Sequence, residues 1–215
     1  MSLLRRAVVE LIGTGFLVLA VGLTAIAAGA GAMAPLAIGA MLMVMVYAGG
    51  PISGGHYNPA VTLAVWLRGK CQATDVPAYM AAQVLGAALA ALVVGLCTER
   101  IGMSVLVPRI LPALVVEGLF TFALAFVVLN VATAKKSAGN SYFGLAIGFT
   151  VAAAAYAGGP ISGGAFNPAV AIGLTLMGLS APGDLWIFLA ANFAGGALAA
   201  LAFRLVNPDE FPRGR

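Results

Sequence analysis

Apolar residues dominate four stretches long enough to cross a bilayer, near 7–29, 76–97, 111–132 and 182–206, since a spanning helix needs about 20 of them. Two shorter stretches, near 34–50 and 142–158, complete a set of six spanning helices. Two more, 58–67 and 167–177, are apolar but too short to cross. Between these blocks the chain writes one polar, glycine-rich phrase twice, GGPISGGHYNPAV at 49–61 and GGPISGGAFNPAV at 158–170.

The repetition extends beyond the phrase. Asn58 and Asn167 are 109 residues apart, and the same offset relates YMAAQVLGAALAA (79–91) to FLAANFAGGALAA (188–200), placing Gln83 opposite Asn192. With a two-residue gap, RRAVVELIGTGF (5–16) matches LPALVVEGLFTF (111–122) and pairs Glu10 with Glu117. Each half then holds three spans and one short segment. An odd number of spans forces the second half to enter the membrane inverted relative to the first.

Asn followed by Pro at the head of an apolar segment is the grammar of a helix start. Asn caps the first turn, and Pro fits where its missing N–H has no helical partner. Asn58 and Asn167 are therefore expected to open two half-helices, with Gly69 and Gly178 as their stops. The Ser-Gly-Gly stretches upstream read as extended backbone, tolerated at membrane depth only where it is buried or lines a wet cavity. Entering from opposite faces, the half-helices meet with their positive ends and two Asn amides at one point. That arrangement disfavours a cation and suits a neutral hydrogen-bonding molecule. A carboxylate inside a span is costly and needs partners. Glu10 and Glu117 are accordingly read as braces for the loops, ahead of a proton relay, and Gln83 and Asn192 as bracing or helix–helix hydrogen bonds. The runs GAALAA and GGALAA read as close helix packing.

Composition supports the membrane reading: 62% of the 215 residues are hydrophobic and 8% charged, too apolar for a domain whose outside faces water. The net charge of +4 includes no basic run interleaved with aromatics, so nucleic acid is not an expected partner. With the N-terminus inside, Arg5, Arg6, Arg68, Lys70, Lys135, Lys136, Arg204, Arg213 and Arg215 fall on the cytoplasmic side and Arg100 and Arg109 outside. The positive-inside rule supports that orientation. One His and two cysteines, Cys71 and Cys97, leave no metal spacing and no disulfide framework. The acidic residues are too scattered for a catalytic carboxylate pair. Arg5 and Arg6 before an apolar run could open a secretory signal, but Glu10 and the matching segment in the second half favour a retained span.

Two copies of Asn-Pro-Ala (Asn58, Pro59, Ala60 and Asn167, Pro168, Ala169), each preceded by Ser-Gly-Gly, with glutamates inside spans and inverted halves, resemble the aquaporin, or major intrinsic protein, family. The resemblance covers almost the whole chain. It implies an all-α integral membrane fold of six spanning helices and two re-entrant half-helices. A single channel domain would fill 1–215, with one repeat over about 1–105, the second over about 110–206 and a short tail at 207–215. It also implies a homotetramer with a pore in each protomer, conducting passively without cofactor, metal or enzymatic chemistry. The expected setting is a lipid bilayer, a plasma membrane of bacterial inner-membrane type, with both termini cytoplasmic.

Within that resemblance an outer constriction is formed by four positions counted from the two asparagines: Ile38, Ala155, Gly164 and Val170. Water-selective members have a bulky aromatic, a His and an Arg there, and this chain has none of them. Loss of the Arg removes a fixed charge, and two small residues widen an otherwise apolar ring. The expectation is a channel for water and small uncharged solutes such as glycerol, urea, ammonia, hydrogen peroxide or neutral metalloid acids. His56, with Gly54, Gly55 and Gly163, is expected to line the passage. The competing reading is a secondary carrier or uniporter built on inverted repeats, which usually holds its substrate at charged groups that this midplane lacks.

Overall fold

The computed structural model describes residues 1–26, 30–98, 105 and 107–211. Six long helices are apolar and long enough to span a membrane. They are α1 (Leu3–Ile26), α2 (Ala34–Ser53), α4 (Val76–Cys97), α5 (Ile110–Val128, extended by a wider turn to Thr133), α6 (Phe143–Ser162) and α8 (Leu185–Val206). Between α2 and α4 lies the short α3 (Pro59–Leu67), and between α6 and α8 the short α7 (Pro168–Leu176). The chain is thus all-α, with two inverted sets of three spans and one half-helix. Of the charge pattern, Arg100, Arg213 and Arg215 lie outside the described residues.

The short helices begin and end where their sequences dictate. Asn58 and Asn167 adopt extended backbone and their side-chain oxygens accept from Ala60 N and Ala169 N, with Pro at the first helical position of each. After α3, Gly69 turns into the left-handed region and Lys70 N donates to Val65 O; after α7, Gly178 does the same and Leu179 N donates to Leu174 O. These closing turns satisfy carbonyls that would otherwise be orphaned at the helix ends. The Ser-Gly-Gly stretches are less extended than expected, since Ser53 and Ser162 still end the preceding helices and the glycines that follow have positive φ; GGPIS is helical. In both copies it continues the preceding spanning helix past Pro51 and Pro160, and only Gly54 and Gly163 end it in a left-handed turn. A Pro one turn from a helix end leaves few ladder bonds to break.

Backbones approach closely where α1 crosses α4 and where α5 crosses α8. A side chain at Gly86 would collide with Leu11 O, and one at Gly195 with Gly118 O. Packing between spans rests on such contacts because lipid offers no hydrophobic gain for helix association. The outward faces stay apolar: Leu85, Leu92 and Leu96 on α4, Leu111 and Leu119 on α5, and Leu198 and Leu205 on α8 are exposed. Charged groups gather at one end. There Arg6 pairs with Asp75 at 2.6 Å and Arg68 with Glu210 at 2.7 Å, while Lys135 N donates to Glu210. That end holds the start of α1, the last described residues and the α3–α4 and α5–α6 connections.

Candidate functional site

The half-helices meet N-terminus to N-terminus, and each is tied to the other's loop. Asn58 Nδ2 donates to Phe166 O at 2.9 Å and Asn167 Nδ2 to Tyr57 O at 2.8 Å. The accepting carbonyls belong to the two non-glycine residues with positive φ among the described residues, Tyr57 at 49° and Phe166 at 48°. That conformation costs about 1–3 kcal/mol per residue and survives only where surroundings hold it. Because each Asn oxygen is fixed by cap bonds, its amide nitrogen faces the partner loop and keeps a second N–H.

The holding groups are two buried carboxylates. Glu10 accepts from Ser53 Oγ and His56 N on one oxygen, and from Tyr57 N and Gln83 Nε2 on the other. Glu117 repeats the pattern with Ser162 Oγ and Ala165 N on one oxygen, and Phe166 N and Asn192 Nδ2 on the other. Each carboxylate therefore receives four hydrogen bonds from distant segments. Both residues are completely buried.

Between the loops and the spans lies a cavity of about 20 Å³. One water needs roughly 10–15 Å³ on that measure, so this cavity has room for one or two waters. Its walls come in pairs from the two repeats: Leu17 with Leu124, Val21 with Val128, Ile38 with Ile147, Leu42 with Val151, Gly55 with Gly164, Asn58 with Asn167 and Val61 with Val170. No charged side chain lines it. The one unmatched polar wall is His56, opposite Ala165. At the end carrying Lys70 and Lys135 a wider opening of about 510 Å³ is bordered by Val46, Gly50 and Gly54.

Of the expected constriction residues, Ile38, Gly164 and Val170 border the central passage. Ala155 does not; it is half-buried, and Val151, one turn earlier in α6, provides that wall. Gly55 and His56 line the centre, Gly54 lines the wider opening, and Gly163 caps α6 and borders neither. The sequence pattern overlooked several contributors. Ser53 and Ser162 were visible as invariant letters of the repeated phrase. Thr62 and Thr121 accept from Gln83 and Asn192 at 2.9 and 3.0 Å; Thr121 is matched by Thr14 in the aligned segments, but Thr62 is matched by Ala171 and has no such signal. Arg68, expected at the surface end of α3, is buried against Glu210, Phe203 and Phe211.

Comparison with known proteins agrees with this architecture. The family model described as "Major intrinsic protein" matches residues 1–203. "Aquaporin NIP1-4" of Oryza sativa subsp. japonica is 39% identical over 178 residues, covering 80% of this chain and 64% of that protein. "Aquaporin NIP1-1" of the same plant is 40% identical, and the match spans 60% of its length. "Glycerol uptake facilitator protein-like 6" of Lactiplantibacillus plantarum is 35% identical over 217 residues, covering 96% of this chain and all of that one. The X-ray structure of the aquaglyceroporin from Plasmodium falciparum shares the fold with a TM-score of 0.82 over 97% of this chain and 99% of its own, at 21% identity. The chain belongs to the major intrinsic protein family.

Proposed function

We propose that the protein is a passive channel for water and small uncharged solutes, with its passage running between Asn58 and Asn167. The observation that carries this reading is the reciprocal tie between the two loops, each Asn donating to the carbonyl that precedes the other. Such ties join the two halves at the midplane. A carrier that rocks one half against the other would have to break both in every cycle. Two half-helix N-termini aimed at one point disfavour cations, and the remaining Asn N–H groups offer donors to a neutral oxygen.

Selectivity is assigned to the apolar wall. Ile38, Val151, Val170 and, one turn beyond, Ala155 present hydrocarbon where a fixed charge would otherwise screen cations. The cavity between the loops holds one or two waters as it stands, while glycerol- or urea-sized solutes require the Leu, Ile and Val rotamers around it to yield. The reading further places both termini in the cytoplasm, from the basic residues gathered at their end, and the chain as a homotetramer in a plasma membrane, its exposed leucines against lipid and neighbouring copies. Stopped-flow light scattering on proteoliposomes tests the function, with water, glycerol, urea and a neutral arsenite-like solute compared. Linear, non-saturating fluxes are expected; saturable uptake with counterflow would establish the carrier instead.

A further inference from the structure

The pairing of the cavity walls fails at one place, and one arrangement of protons there satisfies every contact. His56 Nδ1 lies 3.1 Å from Thr62 Oγ1. Thr62 Oγ1 also lies 3.1 Å from Asn58 O and 2.9 Å from Gln83 Nε2. The hydroxyl has one hydrogen and two candidate acceptors, Asn58 O and the imidazole; only donation to Asn58 O, the i−4 bond common for a helical Thr, keeps all three contacts as hydrogen bonds. The Gln83 amide donates its two hydrogens to Glu10 Oε2 and Thr62 Oγ1. With its hydrogen committed, Thr62 can only accept from the imidazole.

We propose that Thr62, aligned by Gln83, holds His56 as its Nδ1–H tautomer and leaves Nε2 as a bare acceptor facing the passage. The functional meaning rests on the channel reading above; the tautomer does not. Nε2 has no protein hydrogen-bond partner among the described residues, and it lies beside Gly54, where the passage opens toward the wider mouth. The ring is steadied from behind by Tyr79, whose centroid is 5.2 Å away and whose hydroxyl donates to Ser53 O. A passing molecule thus meets donors at the two Asn amides and then a side-chain acceptor on this side only. Solutes bearing O–H or N–H groups gain a partner that the opposite wall, at Ala165, does not supply.

The asymmetry traces to side-chain length. In the second half the shorter Asn192 gives its second amide hydrogen to Thr121 on α5, and Ala171 stands where Thr62 would be. In the first half the extra methylene of Gln83 carries the amide past Thr14, whose buried hydroxyl has no partner, to Thr62. Gln83 and Thr62 are therefore positioning residues that act through His56.

The chain has a single histidine, so full-length protein made with ¹⁵N-histidine, purified without a histidine tag and returned to lipid, gives one imidazole in solid-state NMR. The expected spectrum shows a directly bonded proton on Nδ1 and none on Nε2. Thr62→Ser, which keeps the hydroxyl, retains that pattern; Thr62→Val loses it. A wild-type proton on Nε2, or a pattern unchanged in Thr62→Val, overturns the relay. Stopped-flow water permeability measured on the same vesicles separates the two readings. Vesicles that conduct nothing while the Nδ1–H pattern persists would support the relay and sink the channel. Conducting vesicles with the proton on Nε2 would do the reverse.

Discussion

Replacing Glu117 by Gln removes one charge and almost no volume, yet it places an amide where four donors converge. Gln has one acceptor oxygen. In one orientation it satisfies Ser162 Oγ and Ala165 N, 2.7 and 2.9 Å from Oε1, and turns its NH₂ toward Phe166 N and Asn192 Nδ2, 2.6 and 2.9 Å from Oε2. The reverse orientation exchanges the losers. Two buried donors are left facing donors, at roughly 1–3 kcal/mol each, or about 2–6 kcal/mol in all. Phe166 is the residue held at φ 48°, so the natural relief is relaxation of its peptide. Relaxation would displace the carbonyl that accepts from Asn58. Every 1.4 kcal/mol changes the ratio of braced to relaxed loop by tenfold, so even the lower bound shifts it by about thirtyfold. The expected results are a lower unfolding temperature in detergent and a fall of more than about tenfold in water permeability, with Glu10→Gln behaving alike. Wild-type permeability and unfolding temperature in Glu117→Gln would refute the claim that the carboxylate holds the loop.

Val170→Arg puts a long cation at the first turn of α7, in a cavity with room for one or two waters; stopped-flow fluxes of glycerol and urea should fall further than that of water, and a uniform fall would separate Val170 from solute choice. Glu210→Ala strands a guanidinium whose side chain is 4% exposed. Breaking a buried pair costs about 3–5 kcal/mol, and contacts with Thr133 O and two aromatic rings place the loss at the lower end. Thermal unfolding should show it, and Arg68→Met in the same chain should restore most of it. Burial, helped by Asp75, pushes the Cys71 thiol up, so less thiolate is present near neutrality than in a free thiol. In a Cys97→Ser background, maleimide labelling of Cys71 should be slow at neutral pH and accelerate through the alkaline range; a fast, pH-independent rate would contradict this.

What could be read from the sequence follows from how local each constraint is. Helix starts at Asn58 and Asn167 are decided within four residues by a cap and a proline, and the inverted pairing by a constant offset, so both were legible. The carbonyl exchange between Tyr57 and Phe166 arises only where two remote loops meet, and nothing in either local sequence requires positive φ at an aromatic residue. The Arg68–Glu210 pair joins positions 142 residues apart, one of them in a tail that the first repeat cannot foretell. The passage wall is an intermediate case. Ile147, Val151 and Ala155 share one stripe of α6 by helical spacing, and counting from Asn167 selects Ala155. Which turn borders the passage depends on how α6 leans against the loop.

Gly164 shows why residue size alone misleads. In sequence it reads as a small residue that widens a filter. In the structure its φ is +69°, and an added Cβ would lie 3.2 Å from the Gly159 Cα. Gly55, its partner in the first repeat, has φ +62° and a contact of 3.4 Å with the Gly50 Cα. The same requirement appears in both halves, although the expected constriction takes its loop positions, Gly164 and Val170, from one half only. Glycine at these positions is therefore demanded by the backbone that presents the loop, and its smallness carries no information about the solute. A bulky substitution at Gly164 would test loop folding before it tested selectivity. In the channel reading, solute choice then rests on Ile38 and Val170, whose side chains face the passage from helical backbone and can be exchanged without a change of fold.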